Sequence, residues 1–280
     1  MTNSPQTYRV ELCFKNPMIL DAPLLDKILR RMGQGMEGLG LFQHRVLPEK
    51  KDHYTSGLLL MPELIEATEH GPAGLLLLFG LPKSSTDDVA AAMSLEQTWQ
   101  WNDAGTAIAS ASFRVSLAEV NTLHLGAGSR LNLLHKGLYA LAAALAPDAL
   151  HFPQSQCLLE PAAYLENKPD TTTCFRPYGL MNTRLFTPQT PGAGSLLMDT
   201  LGLHLLGLPD LQCLIPVDSQ DHAELASWFC NLAEHLCEKP GELKDGDIVT
   251  GLRNEAWKLS AHQSTIPPQR EVLEIIIPSG

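Results

Sequence analysis

The polar residues most concentrated within apolar sequence are Asp199, His204 and Asp210. They lie in the densest apolar stretch, Met198–Val217 (MDTLGLHLLGLPDLQCLIPV). A carboxylate beside an imidazole could act as a general base, because proton transfer needs such a positioned pair. The competing interpretation is structural: both aspartates serve turns that flank strands, and His204 is a half-buried polar residue with its hydrogen bonds satisfied. We favour the structural interpretation and keep the general base as the alternative.

The sequence contains none of the common catalytic or metal-binding motifs. H-E-x-x-H, H-x-H, C-x-x-C, G-x-S-x-G, S-x-x-K and the Walker and kinase signatures are all absent. Cys230 and Cys237 share a predicted helix but lie about 10 Å apart along its axis, too far to bind one zinc ion. The glycines of Gly126–Ser129 lack the dinucleotide-binding pattern and indicate a turn before a helix. We therefore expect no cofactor and no metal, and the absent motifs weigh against an enzyme.

Trp99 and Trp101 are the other candidate binding residues. Being two positions apart, they would point to opposite faces of a strand and would diverge on a helix. This spacing argues against a two-aromatic ligand cage. We expect one tryptophan in the core and the other at its rim.

Charge and composition limit the classes of partner. The chain has 280 residues, of which 44% are hydrophobic and 18% charged, as in a globular protein. Its net charge of −11 argues against nucleic-acid binding, which depends on Lys and Arg neutralising phosphates. An acidic surface could attract a basic protein partner. An ordinary solvated surface is the simpler interpretation of the same charge.

The N-terminal sequence and the cysteines indicate a compartment. The N-terminus has no charged region followed by an apolar one, so we expect no signal peptide. Gly, Pro and charged residues interrupt every apolar run before it reaches membrane-spanning length. The six cysteines are scattered, which is typical of reduced thiols. We expect a cytoplasmic protein that does not enter a membrane.

The periodicity of apolar residues predicts the elements that position these side chains. We predict strands at residues 8–15, 39–47, 54–61, 74–82, 106–115, 149–153 and 271–277, a strand pair within 174–187, and a strand–turn–strand over 198–217. We predict helices from Asp21 to Gly33, over 62–70, from Ser85, from Ser129 to Pro147, over 162–167, and from Asp218 or Ser219 to Lys239. Residues 244–247 (KDGD) are predicted as a hairpin-type turn.

This irregular alternation predicts an α+β fold with helices packed on a largely antiparallel sheet. We expect a single α+β domain over residues 8–277. The alternative is two similar lobes, 8–167 and 174–277, joined by the polar loop 168–173.

Three passages resemble an uncharacterised bacterial domain-of-unknown-function family: Thr98–Val120, Arg130–Asn167 and, most specifically, Asp199–Gly251. That family shows a T-x-G-L run, a G-L-P-acid run and a closing D-G-D in this order. The matching positions are Thr200, Gly202, Leu203, Gly207, Leu208, Pro209, Asp210, Asp245, Gly246 and Asp247. The resemblance implies an α+β bacterial cytosolic protein and brings no catalytic residues. The glycines and Pro209 are turn-forming types, so these residues would define the fold.

Our leading hypothesis is a non-enzymatic protein that binds another protein. Small bacterial families of this kind often accompany toxins or secretion systems, which makes a basic toxin or effector the candidate partner. The alternative is an enzyme or small-ligand-binding protein whose site is assembled from dispersed residues such as Asp199, His204 and Trp99. Self-assembly into a homo-oligomer through an edge strand such as Glu271–Gly280 is a third hypothesis.

Overall fold

The computed structural model describes residues 6–18, 21–35, 56–60, 73–80, 85–167, 177–187, 194–216 and 222–278. The chain divides into two compact units, of which the first is Thr7–Thr173 and the second joins Cys174–Gly280 with Met1–Gln6. Each unit contains a six-stranded sheet and helices. The predicted α+β fold is therefore confirmed. In the described ranges no helix is long and apolar enough to cross a membrane.

The sheet of the first unit has the strand order β2-β3-β4-β1-β5-β6, and every neighbouring pair is antiparallel. Its strands are β1 (Arg9–Phe14), β2 (Ser56–Leu60), β3 (Gly74–Phe79), β4 (Phe113–Val120), β5 (Ala149–Phe152) and β6 (Cys157–Leu159). Its helices are α1 (Ala22–Gly35), α2 (Ser85–Glu96), α3 (Ala104–Ser110), α4 (Ala127–Leu145) and α5 (Pro161–Glu166). Strand β6 was not predicted.

Of the predicted ends of α1 and α4, the start of α1 is capped as predicted and the others differ. Asp21 accepts a hydrogen bond from the backbone N–H of Leu24 at 2.8 Å, so it caps α1 as predicted. That helix ends at Gly35, not at Gly33. Helix α4 starts at Ala127, before the predicted Ser129, and ends where Ala146 adopts a left-handed conformation.

The prediction of a strand over residues 106–115 is wrong in its first half. Residues Ala104–Ser110 form α3, and β4 begins only at Phe113. Alanine has the highest helix propensity, which the alternation of small residues conceals in this segment. Ala104 and Ile108, one turn apart, are both buried in the same core cluster, so packing also favours the helix.

The sheet of the second unit has the strand order β10-β11-β12-β9-β8-β7. Its strands are β7 (Asn182–Phe186), β8 (Ser195–Leu201), β9 (Asp210–Pro216), β10 (Ile248–Thr250), β11 (Ala256–Gln263) and β12 (Glu271–Ile276). The pairing of β9 with β12 is parallel, and the other four pairings are antiparallel. A 3-10 helix, Leu203–Leu206, links β8 to β9, and helix α6 (His222–Glu238) contacts β7 and β9.

The strand–turn–strand predicted for 198–217 is confirmed by β8, the 3-10 helix and β9. The predicted hairpin at residues 244–247 needs a correction. Gly246 has a φ of 86°, and Asp247 accepts a hydrogen bond from the N–H of Lys244, so the segment is a turn. However, it precedes β10 and does not join two strands; the β10–β11 hairpin, including β11, was not predicted.

Several predictions fall on residues outside the described ranges, namely the strand 39–47, the helix 62–70 and the polar loop 168–173. Four of the five described cysteines are buried.

Candidate functional site

Four charged side chains lie on one face of the second sheet. Arg184 on β7 is directly opposite Asp199 on β8, Asp210 begins β9, and Arg270 immediately precedes β12. Side chains alternate between the faces of a sheet, which brings these four together across neighbouring strands. Each of the four residues is at most 2% exposed. Buried charges of this kind must be paired, and the geometry shows how.

Arg270 connects the two aspartates. Arg184 donates from Nε and Nη2 to the two carboxylate oxygens of Asp199, at 3.0 and 2.6 Å. Arg270 donates from Nη2 to Asp199 Oδ2 at 2.5 Å and from Nε to Asp210 Oδ2 at 2.9 Å. Two guanidinium groups thus neutralise two carboxylates in a continuous network.

The segment that joins β11 to β12 folds around the Arg270 guanidinium. Its Nη1 donates to the carbonyl oxygens of Ile266 and Pro268, at 3.3 and 2.8 Å, and Nη2 also donates to the carbonyl of Thr200 at 2.8 Å. With the two aspartate contacts, these bonds use all five N–H groups of an arginine. Every donor that Arg270 brings into the interior is therefore satisfied.

Asp210 both caps the 3-10 helix and orients His204. Its Oδ1 accepts from Thr200 Oγ1 at 2.9 Å and from the N–H of Leu203 at 3.0 Å. Its Oδ2 accepts from His204 Nδ1 at 2.7 Å. The His204 side chain is 12% exposed. The sequence therefore identified a real carboxylate–histidine pair, with Asp210 serving the turn as expected.

The two aspartates differ in acidity. Burial, the largest single influence, acts to raise the pKa of Asp210, but the hydrogen bond and charge of His204 together with Arg270 and Thr200 lower that pKa below its ordinary value. For Asp199, burial prevails over Arg184 and Arg270, and the pKa of its carboxyl is raised. The expectation that Asp199 serves a turn is wrong, because it lies within β8 and pairs with two arginines.

The other residues of the predicted signature lie at turns or in the same network. Gly202 has a φ of 136°, and a Cβ there would lie 2.0 Å from the carbonyl oxygen of Leu180. Gly207 adopts the left-handed conformation that ends the 3-10 helix. Leu208 is buried, and Pro209 directly precedes Asp210. Only glycine fits position 202 without displacing backbone.

The D-G-D residues hold the start of β10. Asp245 Oδ1 accepts from the N–H of Ala261 at 2.9 Å, and Asp247 Oδ2 accepts from the N–H of Lys244 at 2.8 Å. Gly246 supplies the positive φ between them. These aspartates therefore satisfy backbone donors at the end of the sheet.

Trp99 and Trp101 belong to the first unit, whereas Asp199, His204 and Asp210 belong to the second. Trp99 is 49% exposed. Trp101 is partly buried against the core cluster that α3 helps to form. Trp101 thus lies at the edge of a core and Trp99 at the surface.

The first unit contains a second polar network that sequence reasoning missed. His151 Nδ1 lies 3.1 Å from Glu11 Oε2, and His151 Nε2 lies 3.0 Å from Ser94 Oγ. Arg114 Nη1 donates to the same Glu11 oxygen at 2.9 Å. Burial acts to raise the pKa of Glu11, but His151, Arg114 and Arg9 together lower it. The residues of this network are far apart in sequence. The only local signal of the network is Glu11, an acidic residue inside the apolar strand β1.

These distances resemble a serine–histidine–acid relay, but burial contradicts that function. Ser94 and His151 have no exposed surface, and Glu11 is 1% exposed. Ser94 Oγ also donates to the Ala90 carbonyl at 2.8 Å, within its own helix. The network therefore fastens α2 to the sheet and presents no nucleophile. Among the residues that the structure describes, no group of three or more His, Cys, Asp or Glu could hold a metal ion.

An exposed apolar patch crosses the same face of the second sheet as the ion pairs. Ile276 on β12 and Ile248 on β10 lie directly opposite Lys258 on β11. On β9, Gln212 lies opposite Glu274 of β12. Leu214 and Ile276 each follow two residues later, so they lie side by side on the same face. Leu214, Ile276 and Ile248 are 51%, 46% and 61% exposed. We call Leu214, Ile276, Lys258 and Ile248 the apolar row.

The fold and the site define an α+β protein whose second sheet encloses an ion-pair network at one end and exposes an apolar row at the other. Residues 199–276 match the model of an uncharacterised family, the domain of unknown function DUF4261. The matched residues include Asp199, Asp210, Arg270 and the whole apolar row. No curated protein and no solved structure was found to match the chain.

Proposed function

We propose that this chain is a bacterial cytosolic protein that binds another protein through the apolar row and catalyses no reaction. The exposure of the row is the observation that carries the proposal. Single exposed apolar residues are common on protein surfaces, whereas a contiguous exposed patch marks an interaction site. Leu214 and Ile276 occupy adjacent strands of one sheet face, and Ile248 lies two strands from Ile276 on that face, across Lys258. The three exposed side chains therefore follow one line across the sheet.

The charge of the second unit supports a basic partner. Residues 174–280 contain 7 Lys and Arg against 13 Asp and Glu. Two of each sign, Arg184, Arg270, Asp199 and Asp210, neutralise one another in the interior. The remaining excess of carboxylates gives the second unit a net negative charge, which would steer a basic protein toward this unit. A toxin or secreted effector that the protein neutralises or escorts is a partner of this class.

The test compares two matched pairs of exposed apolar side chains. The double variant L214S/I276S removes two of the three apolar side chains of the row, and V89S/M93S removes two exposed residues from α2 in the first unit. Tagged wild type and both variants are used to capture proteins from the source bacterium, after circular dichroism shows that all three are folded. We expect one specific protein to be retained by wild type and V89S/M93S, with at least tenfold less on L214S/I276S. Equal retention on all three would contradict the proposal.

The contact between His204 and Asp210 favours a second candidate, a small-ligand or enzymatic site. Asp210 accepts a hydrogen bond from Nδ1 of the ring, which orients the imidazole and leaves Nε2 as the ring nitrogen that could contact a ligand. A thermal-shift screen of common metabolites against wild type and His204→Gln tests it. A compound that raises the Tm of wild type but not of His204→Gln would support this candidate. If the screen contains no such compound, the candidate is eliminated.

A further inference from the structure

The apolar row contains one charged residue, Lys258, at an internal position. Its cross-strand neighbours on both sides are isoleucines, Ile276 and Ile248. The remaining exposed residues around it on that face, Ala256 and Thr250, are uncharged. Lys258 is exposed, and among the described residues none forms an ion pair with it. Its ammonium is therefore available to a partner.

The nearest acidic residue on this face is already engaged. Glu274 lies one position along the face from Ile276, and its Oε2 is 3.1 Å from His262 Nε2. His262 Nδ1 in turn lies 2.7 Å from the carbonyl oxygen of Gln263. Both ring nitrogens of His262 thus face acceptors, and Glu274 is paired with His262 and not with Lys258.

A protein that covers the row must remove water from the Lys258 ammonium. Taking a charge out of water costs several kcal/mol unless an opposite charge compensates it. The isoleucines on either side of Lys258 cannot supply that compensation, and Glu274 is paired with His262. The compensating group must come from the partner.

From this arrangement we infer that the partner segment that docks on the apolar row carries a carboxylate between apolar side chains, placed over Lys258. The inference rests on the proposed function and adds the chemistry of the bound segment. A partner that is basic overall is attracted by the net negative charge of the second unit. The single acidic residue of the partner's bound segment pairs with Lys258 and so fixes the position of that segment on the row.

The test uses synthetic peptides that differ in one residue. Each peptide has leucines at alternate positions around a central Asp, Asn or Lys, with blocked termini. Binding to wild type, Lys258→Glu, Lys258→Met and L214S/I276S is measured by fluorescence anisotropy. We expect wild type to bind the Asp peptide about fivefold more tightly than the Lys peptide, the effect of one partly exposed ion pair. Lys258→Glu should reverse this order, and Lys258→Met should abolish the preference.

The outcomes separate the two claims. If L214S/I276S weakens all peptides but wild type and Lys258→Glu show the same order, the carboxylate inference is wrong and the docking site stands. If L214S/I276S binds as wild type does, or if no peptide binds wild type, both claims are contradicted.

Discussion

At the scale of residues, Arg270 is the side chain on which the second sheet depends most. It contacts both buried aspartates, and its other N–H groups are used by the carbonyls of Thr200, Ile266 and Pro268. Removing one partner of a buried ion pair is costly, because it leaves an uncompensated charge in the interior. Here removal of one arginine would leave Asp210 without a guanidinium contact and Asp199 with only Arg184.

Arg270→Met should therefore lower the free energy of unfolding by about 3–5 kcal/mol. The control is Lys258→Met, which removes an exposed cation without an ion pair among the described residues. Urea denaturation followed by circular dichroism measures both variants. Losses of similar size in the two variants would refute the role assigned to Arg270.

The pKa of Asp210 makes stability depend on pH. Because the folded protein lowers this pKa from the ordinary 3.8, ionised Asp210 stabilises the fold above that value, and the contribution is lost as pH falls below it. Asp199, whose pKa is raised, acts in the opposite sense. Asp210→Asn should flatten the acid limb of the unfolding free energy between about pH 5 and pH 2. An acid limb as steep as that of wild type would show that Asp210 is not the group responsible.

At the scale of elements, the passage from β8 into the 3-10 helix depends on Gly202. Two independent constraints act there, a φ of 136° and the Leu180 carbonyl 2.0 Å from where a Cβ would lie. Gly246 offers a comparison, because its φ of 86° is also positive but nothing lies within 4 Å of its Cβ position. The first site combines backbone strain with a steric clash, and the second has strain alone.

Gly202→Ala should consequently destabilise the protein by on the order of 3 kcal/mol or more, and Gly246→Ala by about 1 kcal/mol. Thermal unfolding of the two variants in parallel gives the comparison. Equal losses would mean that the backbone at position 202 relaxes away from Leu180.

Helix α2 provides an element-scale prediction for the first unit. Ser94→Ala removes the hydroxyl that faces His151 Nε2 and leaves that buried nitrogen unsatisfied, at a cost of about 1–3 kcal/mol. Ser110→Ala, at an exposed hydroxyl that bonds only within its own helix, is the control. Hydrogen exchange should show faster amide exchange in α2 for Ser94→Ala alone. Unchanged protection of α2 would indicate that the Ser94–His151 contact does not hold the helix.

Much of the element pattern could be predicted from the sequence, because local periodicity reports which face of an element is buried. The alternation in β1 located that strand, although both of its faces are buried. The apolar stretch over 198–217 located β8 and β9. Periodicity fails at residues 104–110, where small alanines pack equally well as helix or strand. It also carries no information on long-range partners: Arg184 and Arg270 lie 15 and 71 residues from Asp199, and His151 lies 140 from Glu11. Those contacts could be identified only from the pairing of the strands in the structure.

At the scale of the whole molecule, the second unit combines a buried and an exposed part on one sheet face. The ion pairs around Asp199 and Asp210 are fully enclosed, which explains why these polar residues in apolar sequence are structural. The exposed Leu214, Ile248 and Ile276 find no such cover. The site with the strongest chemical signature in the sequence thus supports the fold, and the surface proposed for binding is apolar.

The most direct test of that proposal is site-specific photo-crosslinking in cells of the source organism. A photoreactive amino acid replaces Ile248 in one strain and Val89 in another, two side chains that are each 61% exposed. We predict a discrete higher-mass adduct with one other protein from position 248 and none from position 89. The absence of an adduct at position 248, or the same adduct from both positions, would contradict protein binding at the apolar row.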